Sequence, residues 1–223
     1  MARRGGSRET LFRSLSGRAV ARWALGRMEA AIADHRQVLE YCREVGQPFG
    51  ELSALIGLAE TNSDLGHFDE AQSLADEALR LGRQLGDKRG EAMAREIIAT
   101  VRRHRGDPEA ALEGYLEVLR SITAIGFGYG ETSVLLSLAA TYRALGGPRR
   151  ALGYGEEALT RLRAAGRLLL EPQALTEIAH DHLALGDRTS ASQSADEAVR
   201  LAEKRGQRAA AARAREVVAL ISR

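Results

Sequence analysis

The chain has 223 residues, with 32 basic and 30 acidic side chains and a formal net charge of +2. That near balance argues against a dedicated nucleic-acid binder, which concentrates positive charge. The single cysteine, Cys42, excludes an intrachain disulfide and a cysteine-based metal site, and no apolar run approaches the roughly 18 residues that span a membrane.

Residues 1–9 are polar and glycine-rich and are expected to be disordered. The start is basic, but no apolar core follows as a secretory signal requires. From Leu11 onward the pattern is helical and comes in pairs. The first helix of each pair is predicted at 11–25, 51–65, 89–105, 129–145 and 169–185. The second is predicted at 29–45, 69–85, 109–125, 149–165 and 189–205, and one unpaired helix at 209–222 closes the chain. In the second pair, Leu52, Leu55, Ile56, Leu58 and Ala59 form an apolar stripe at helical spacing, and Leu74, Ala75, Ala78, Leu79 and Leu81 form the next. Asp69 and Glu70 fall in a first turn, where the helix dipole favours negative charge. Pro108 and Pro148 stand at helix starts, which tolerate proline, and Pro172 sits near another. The turns are short, so neighbouring helices run antiparallel.

The pairs repeat with a fixed period. Gly26, Gly66, Gly106, Gly146 and Gly186 are 40 residues apart, and so are Gly46, Gly86, Gly126, Gly166 and Gly206. A period of about 20–50 residues is the signature of a solenoid. Small residues keep the same register at three levels. One is Ala19, Ala59, Ala99, Ala139, Ala179 and Ala219. A second is Ala31, Ala71, Ala111, Ala151 and Ala191. The third is Val38, Ala78, Val118, Ala158 and Ala198. Such positions let helices approach closely, and a bulky residue there would overpack the contact.

The order small–seven–Gly–five–Ala–seven–small resembles the tetratricopeptide repeat. Leu15, Leu55, Leu135 and Leu175 take that family's large-residue place, although the third unit has Arg95. The usual repeat has 34 residues; here six more lengthen the second helix and its turn, and the closing proline is absent. The 40-residue form looks like the repeats of kinesin light chain, of spindle adaptors and of the C-termini of actinobacterial regulators. HEAT and armadillo repeats share the period but not the seven-five-seven spacing. The resemblance implies an all-α, right-handed α-α superhelical solenoid of about five helical hairpins plus a C-terminal capping helix. The expected organisation is a single domain over 10–223, with repeats at 10–48, 49–88, 89–128, 129–168 and 169–208 and a cap at 209–222. The arginine-rich composition, with only Lys88 and Lys204 as lysines, suggests a GC-rich bacterial genome, and a cytoplasmic setting fits the lone cysteine.

Candidate chemistry is sparse. No glycine-rich loop runs into Lys-Ser or Lys-Thr, so no phosphate loop is expected. Gly126-Phe127-Gly128-Tyr129-Gly130 reads as a turn. His180 and His182 are two apart and point in different directions on a helix, unlike a metal pair. Cys42 reads as a small buried residue. An enzyme built on Glu60, His104 or His180 has no support in the spacing, and no cofactor is expected. The basic run Arg102-Arg103-His104-Arg105, with Arg143, Arg149 and Arg150 beyond it, reads either as solvated helix ends or as a stretch that holds an acidic partner segment. No aromatic residues interleave with it as nucleic-acid binding would want.

The resemblance also implies a concave groove lined by first helices, where tetratricopeptide proteins take partner peptides. By register that groove includes Glu60, Ser63, Met93, Glu96, Thr100, Arg103, Ser133, Leu136, Arg143, Gln173, Thr176 and His180. It lacks the paired Lys/Asn/Arg set of chaperone-tail clamps. The expected function is therefore a non-catalytic module that binds a protein or peptide. The alternative is a sensor or regulatory part of a bacterial transcription or signalling system. Val217, Val218, Leu220 and Ile221 at the chain end raise the expectation of a homodimer through the last helix.

Overall fold

The computed structural model describes residues 14–222, apart from the side chain of Tyr129. The expected disordered segment 1–9 and the predicted helix start at Leu11 lie outside these residues. Among the described residues the regular structure is helical, with no strand. The chain forms two compact units, Met1–Arg105 and Gly106–Arg223.

The first unit holds α1 (14–24), α2 (Met28–Val45), α3 (Pro48–Asp64), α4 (Phe68–Leu85) and α5 (Lys88–His104). The second holds α6 (Pro108–Ala124), α7 (Gly128–Ala144), α8 (Pro148–Ala164), α9 (Glu171–Ala184), α10 (Arg188–Lys204) and α11 (Arg208–Ile221). The described helices fall within about three residues of their predicted bounds. Pro48 starts α3 earlier than its apolar stripe implied. Before α9, Leu168–Leu170 form a single 3-10 turn, whose Leu168 and Leu169 carbonyls accept from Arg205 and from Gln207 Nε2, the latter at 2.8 Å.

The periodic glycines make the turns. At the end of α3, Gly66 has φ 79°; its N–H reaches the Ser63 carbonyl at 3.1 Å, and the His67 N–H reaches Asn62 at 2.9 Å. This pairing satisfies carbonyls that a helix end leaves open, and it needs the left-handed conformation that glycine adopts without a Cβ penalty. Asp87, Asp107 and Asp187 cap α5, α6 and α10 by accepting from first-turn N–H groups.

Packing follows the small-residue register. Ala59, Ala71 and Ala78 in the first unit, and Ala139, Ala151, Ala158, Ala179, Ala191 and Ala198 in the second, are fully buried. Ala219 is exposed, because α11 has no second helix after it to cover that side. Consecutive helices pack together in both units. Beyond them, α3 comes close to α5 in the first unit, and α7 to α9 and α9 to α11 in the second; second helices stand further apart and meet through long side chains, Arg43 with Glu77 and Arg163 with Glu197. Each unit is thus drawn together on its first-helix side.

Polar side chains in or beside the core find partners, some on the neighbouring helix and some on their own. Arg18 stands where other repeats have leucine or isoleucine. Its Nε and Nη2 donate to Asp34 at 2.9 and 2.7 Å, and Arg22 Nη1 adds a 2.6 Å bond to the same buried carboxylate. The Arg18 guanidinium holds the Asp34 carboxyl below the usual carboxylate range. His35 is buried against Gly57, where an added Cβ would lie 2.3 Å from the ring. Arg95, in the large-residue place of the third repeat, turns its guanidinium to Glu91 at 3.8 Å.

Glu51, Glu91, Glu131 and Glu171 share one register position near the starts of α3, α5, α7 and α9, and each meets a cation. Arg43 bonds Glu51 at 2.8 Å and Glu77 at 2.5 Å. Lys88 bonds Glu91 at 2.7 Å, and Arg161 pairs with Glu131. Arg163 and Arg205 reach Glu171 at 3.2 and 2.6 Å.

Candidate functional site

In the first unit, the first-helix face carries the expected residues of α3 and α5. Glu60 is half-buried and has no hydrogen-bond donor among the described residues. Burial, reinforced by the like charges of Asp64 and Glu96, pushes its pKa up to about 8. Trp23 of α1 donates its Nε1 to Asp64 at 2.7 Å, which ties α1 to α3 beside this carboxylate. Met93, Glu96 and Thr100 are half-buried on α5, and the Thr100 hydroxyl donates back to the Glu96 carbonyl at 3.0 Å. Ser63 is buried.

The basic run at the end of α5 is broken up by its contacts. Arg105 is ion-paired with Asp69. His104 stacks on Phe68 with centroids 5.3 Å apart; burial and Arg103 depress its pKa, against the pull of Asp64. Arg103 Nη2 lies 3.0 Å from His104 Nε2, while its buried Nε finds no acceptor among the described residues. Arg103 is therefore the member of the run that the first-helix face retains.

In the second unit, Arg143 departs from the expectation of a cation open to a partner. Its Nη1 donates to Asp181 Oδ1 at 2.6 Å and its Nη2 to Glu177 Oε2 at 2.7 Å, so α7 is pinned to α9. The reason is register: Glu177 and Asp181 are one turn apart on the helix that stacks beside α7, and both face its last turn. Asp181 is wholly buried, and its Oδ2 has no partner among the described residues. His180 is half-buried, with its pKa lowered by burial and by Arg143, while Glu177 and Glu216 oppose the shift. Ser133 is half-buried and Gln173 exposed. Leu136 packs in the core with Leu135 and Leu162, and the buried Thr176 hydroxyl donates to the Pro172 carbonyl at 2.7 Å. Leu136 and Thr176 thus support the face from beneath. Helical register names a face but not a depth, which is why spacing alone grouped them with Gln173.

Cys42 is fully buried, and burial pushes its thiol up. Of the three residues considered for an enzyme, Glu60 and His104 belong to the first unit and His180 to the second.

The tetratricopeptide repeat profile matches residues 10–84 and 90–164. Among solved structures, a Rap protein complexed with competence and sporulation factor superposes with a TM-score of 0.78 at 17% identity, covering 86% of this chain and 54% of that one. NprR in complex with its cognate peptide NprX gives 0.76 at 18% identity, over 92% of this chain and 59% of that one. A signal transduction ATPase with numerous domains and a tetratricopeptide repeat sensor, from Pyrococcus horikoshii, gives 0.65 at 20% identity, over 90% and 31%. The chain therefore spans about half the length of the first two and about a third of the last, and at these identities the likeness is one of fold. No curated protein sequence matches the chain.

Proposed function

Because the chain belongs to the tetratricopeptide repeat family, we propose that it is a non-catalytic interaction module that binds a protein or peptide on the first-helix face of its units. The observation that carries this reading is a pair of polar groups in the first unit that meet no hydrogen-bond partner among the described residues, one half-buried and one buried. The Glu60 carboxyl and the Arg103 Nε both sit on a half-buried face with hydrogen-bonding capacity left over. A buried polar group without a partner costs about 1–3 kcal/mol, which a ligand that supplies the partner returns as affinity. Arg103 is the cation an acidic partner segment would meet, since Arg143 is spent on Glu177 and Asp181. The crystallised complexes of Rap and NprR with a factor and a cognate peptide support the ligand class.

A second reading is favoured by the lengths of the matched structures: the chain is the sensor part of a larger regulatory system, as the repeats of the Pyrococcus ATPase are described. Self-association through α11, whose Leu220 is 44% exposed, belongs to the same proposal; a monomeric mass at high concentration sinks that part alone.

Site-specific photo-crosslinking in the native cell tests the main reading. The crosslinking residue is placed at Met93 or Gln173 on first helices, and at the exposed Arg80 or Arg200 on second helices. One protein captured from Met93 or Gln173, and not from Arg80 or Arg200, is the expected result. Capture from the second helices alone overturns it.

A further inference from the structure

An open hollow of about 500 Å³ lies between the end of α7 and α8, lined by Tyr142, Arg150, Gly153, Tyr154 and Glu157. The Tyr142 and Tyr154 rings stack in parallel, with centroids 5.3 Å apart and 10° between their planes. The Arg150 guanidinium lies over Tyr142, 5.7 Å from its centroid. No carboxylate among the described residues pairs with Arg150. Glu157 is different: Arg161 Nη2 bonds its carboxylate at 2.6 Å, so the acid of this wall is already neutralised. The hollow therefore offers aromatic surface with one uncommitted cation at its rim.

Gly153 supplies an independent observation. Glycine inside a helix is destabilising unless something needs the missing side chain. At Gly57, Gly82, Gly90, Gly130 and Gly155, a Cβ would come within 2.3–3.2 Å of a neighbouring atom, so packing within the fold explains each. At Gly153 a Cβ would meet nothing within 4 Å. Gly17 in α1 is equally open, and at Gly128 in α7 the nearest atom is an ordinary 3.7 Å away, but neither lines the hollow. No neighbour in the fold crowds the bare backbone at Gly153, and that residue lines the hollow. Close approach of another molecule is a use that accounts for it.

We propose that this hollow is a second docking site, which takes an aromatic side chain of a partner protein followed by a carboxylate. The ring extends the Tyr142–Tyr154 stack over Gly153, where aromatic pairs at such separations add to plain burial. The carboxylate engages Arg150 through the guanidinium fork. Burial, then Tyr142 and Glu157, hold the Tyr154 phenol above its ordinary range, so the wall stays neutral toward that carboxylate. The hollow is wide open to solvent, so it covers one face of a ring and leaves the chain free to continue; sites for free small molecules enclose most of the ligand.

The test uses the whole protein, with assigned backbone amides, and short synthetic peptides of Gly and Ser carrying Phe-Glu, Ala-Glu or Phe-Lys at the centre. Phe-Glu is expected to shift the Arg150, Gly153 and Tyr154 amides saturably, and the other two peptides to bind about tenfold more weakly or worse. Gly153→Leu puts a side chain into the hollow at a position whose Cβ meets nothing within 4 Å; it is expected to abolish binding while raising the melting temperature, which separates a blocked site from a damaged fold. Arg150→Glu is expected to turn the preference to Phe-Lys. The proposal is overturned if Gly153→Leu still binds Phe-Glu, if the three peptides bind wild type alike, or if free N-acetylphenylalanine binds as tightly as the Phe-Glu peptide.

Discussion

Asp181 shows how much one side chain can weigh in this fold. It is wholly buried, accepts from Arg143 with one oxygen and from no described residue with the other. Burial outweighs the pull of Arg143 and pushes its pKa from 3.8 to about 6. The folded chain thus holds this proton more tightly than the unfolded chain. The stability it contributes is full below the unfolded value and is lost as pH rises through the folded one. A shift of about two units corresponds to about 3 kcal/mol above that window. Asp181→Asn removes the charge and keeps the size, so its melting temperature is expected to exceed that of wild type at pH 8 and to match it near pH 4. A lower melting point at pH 8 would mean that the charged bond to Arg143 outweighs the cost of burial. Glu60 has the same sign in a higher window, between 4.5 and about 8. A carboxyl carbon resonance that titrates near pH 8 in wild type checks it, and a ligand cation placed beside Glu60 is expected to move that midpoint down.

Between elements, fit is set by pairs. The layer that holds His35 in α2 holds Ala75 in α4, Tyr115 in α6, Gly155 in α8 and Ala195 in α10. His35 is admitted because its neighbour on α3 is Gly57. Gly57→Ala is expected to cost about 1–3 kcal/mol by overpacking. His35→Ala should recover much of that loss in the double variant, and denaturant melts of the four proteins give the coupling. The carboxylate register gives a second case. Burial pushes Glu171 up, but the hydrogen bonds from Arg205 and Arg163 more than offset it, and its pKa ends below the ordinary value. The stability it adds is present above the unfolded pKa and fades as pH falls through the folded one. Glu171→Gln leaves Arg205, which is only 18% exposed, without its anion. The expected loss is about 1–3 kcal/mol at pH 7 and little at pH 3, read by chemical denaturation at both values.

These pairs also explain what could be read from the sequence. Turns and helix bounds were legible because glycine marks the ends of α1 through α10 at a constant spacing and the φ of each turn demands it. The carboxylate register, Glu51 to Glu171, was equally periodic and available to inspection, but its cations come from three positions: Arg43 and Arg163 share one, and Lys88 and Arg161 stand at two others. Arg143 looked open to a partner because its anions lie 34 and 38 residues on, a separation that has meaning only once the stacking of α7 on α9 is known. Tyr142, Gly153 and Tyr154 carry no repeat signal at all, since the other repeats differ there; a site confined to one repeat is invisible to periodicity.

On the scale of the whole chain, stacked hairpins make stability a chain of nearest-neighbour terms, so damage at one end should stay near that end. α11 is the covering helix of the second unit. Ala211, Ala214 and Val217 are buried against α9 and α10, where Ala214 meets Leu175 and Ala198, and Val217 meets Ala179 and Ala195. Its outer side, with Ala219 and Leu220 exposed, holds nothing in place. Deleting residues 208–223 strips that cover from Leu175 and Ala198 and leaves Val199 and Leu201 more exposed. Hydrogen exchange is expected to quicken through α10 and the facing side of α9, to fade toward α7, and to leave α2 through α4 unchanged. Arg188 also loses the Ile221 carbonyl that its Nη2 reaches, so the start of α10 should loosen with its middle. Exchange that quickens equally in α2 through α4 would mean that the two units unfold as one body, and the nearest-neighbour account would then fail for this chain.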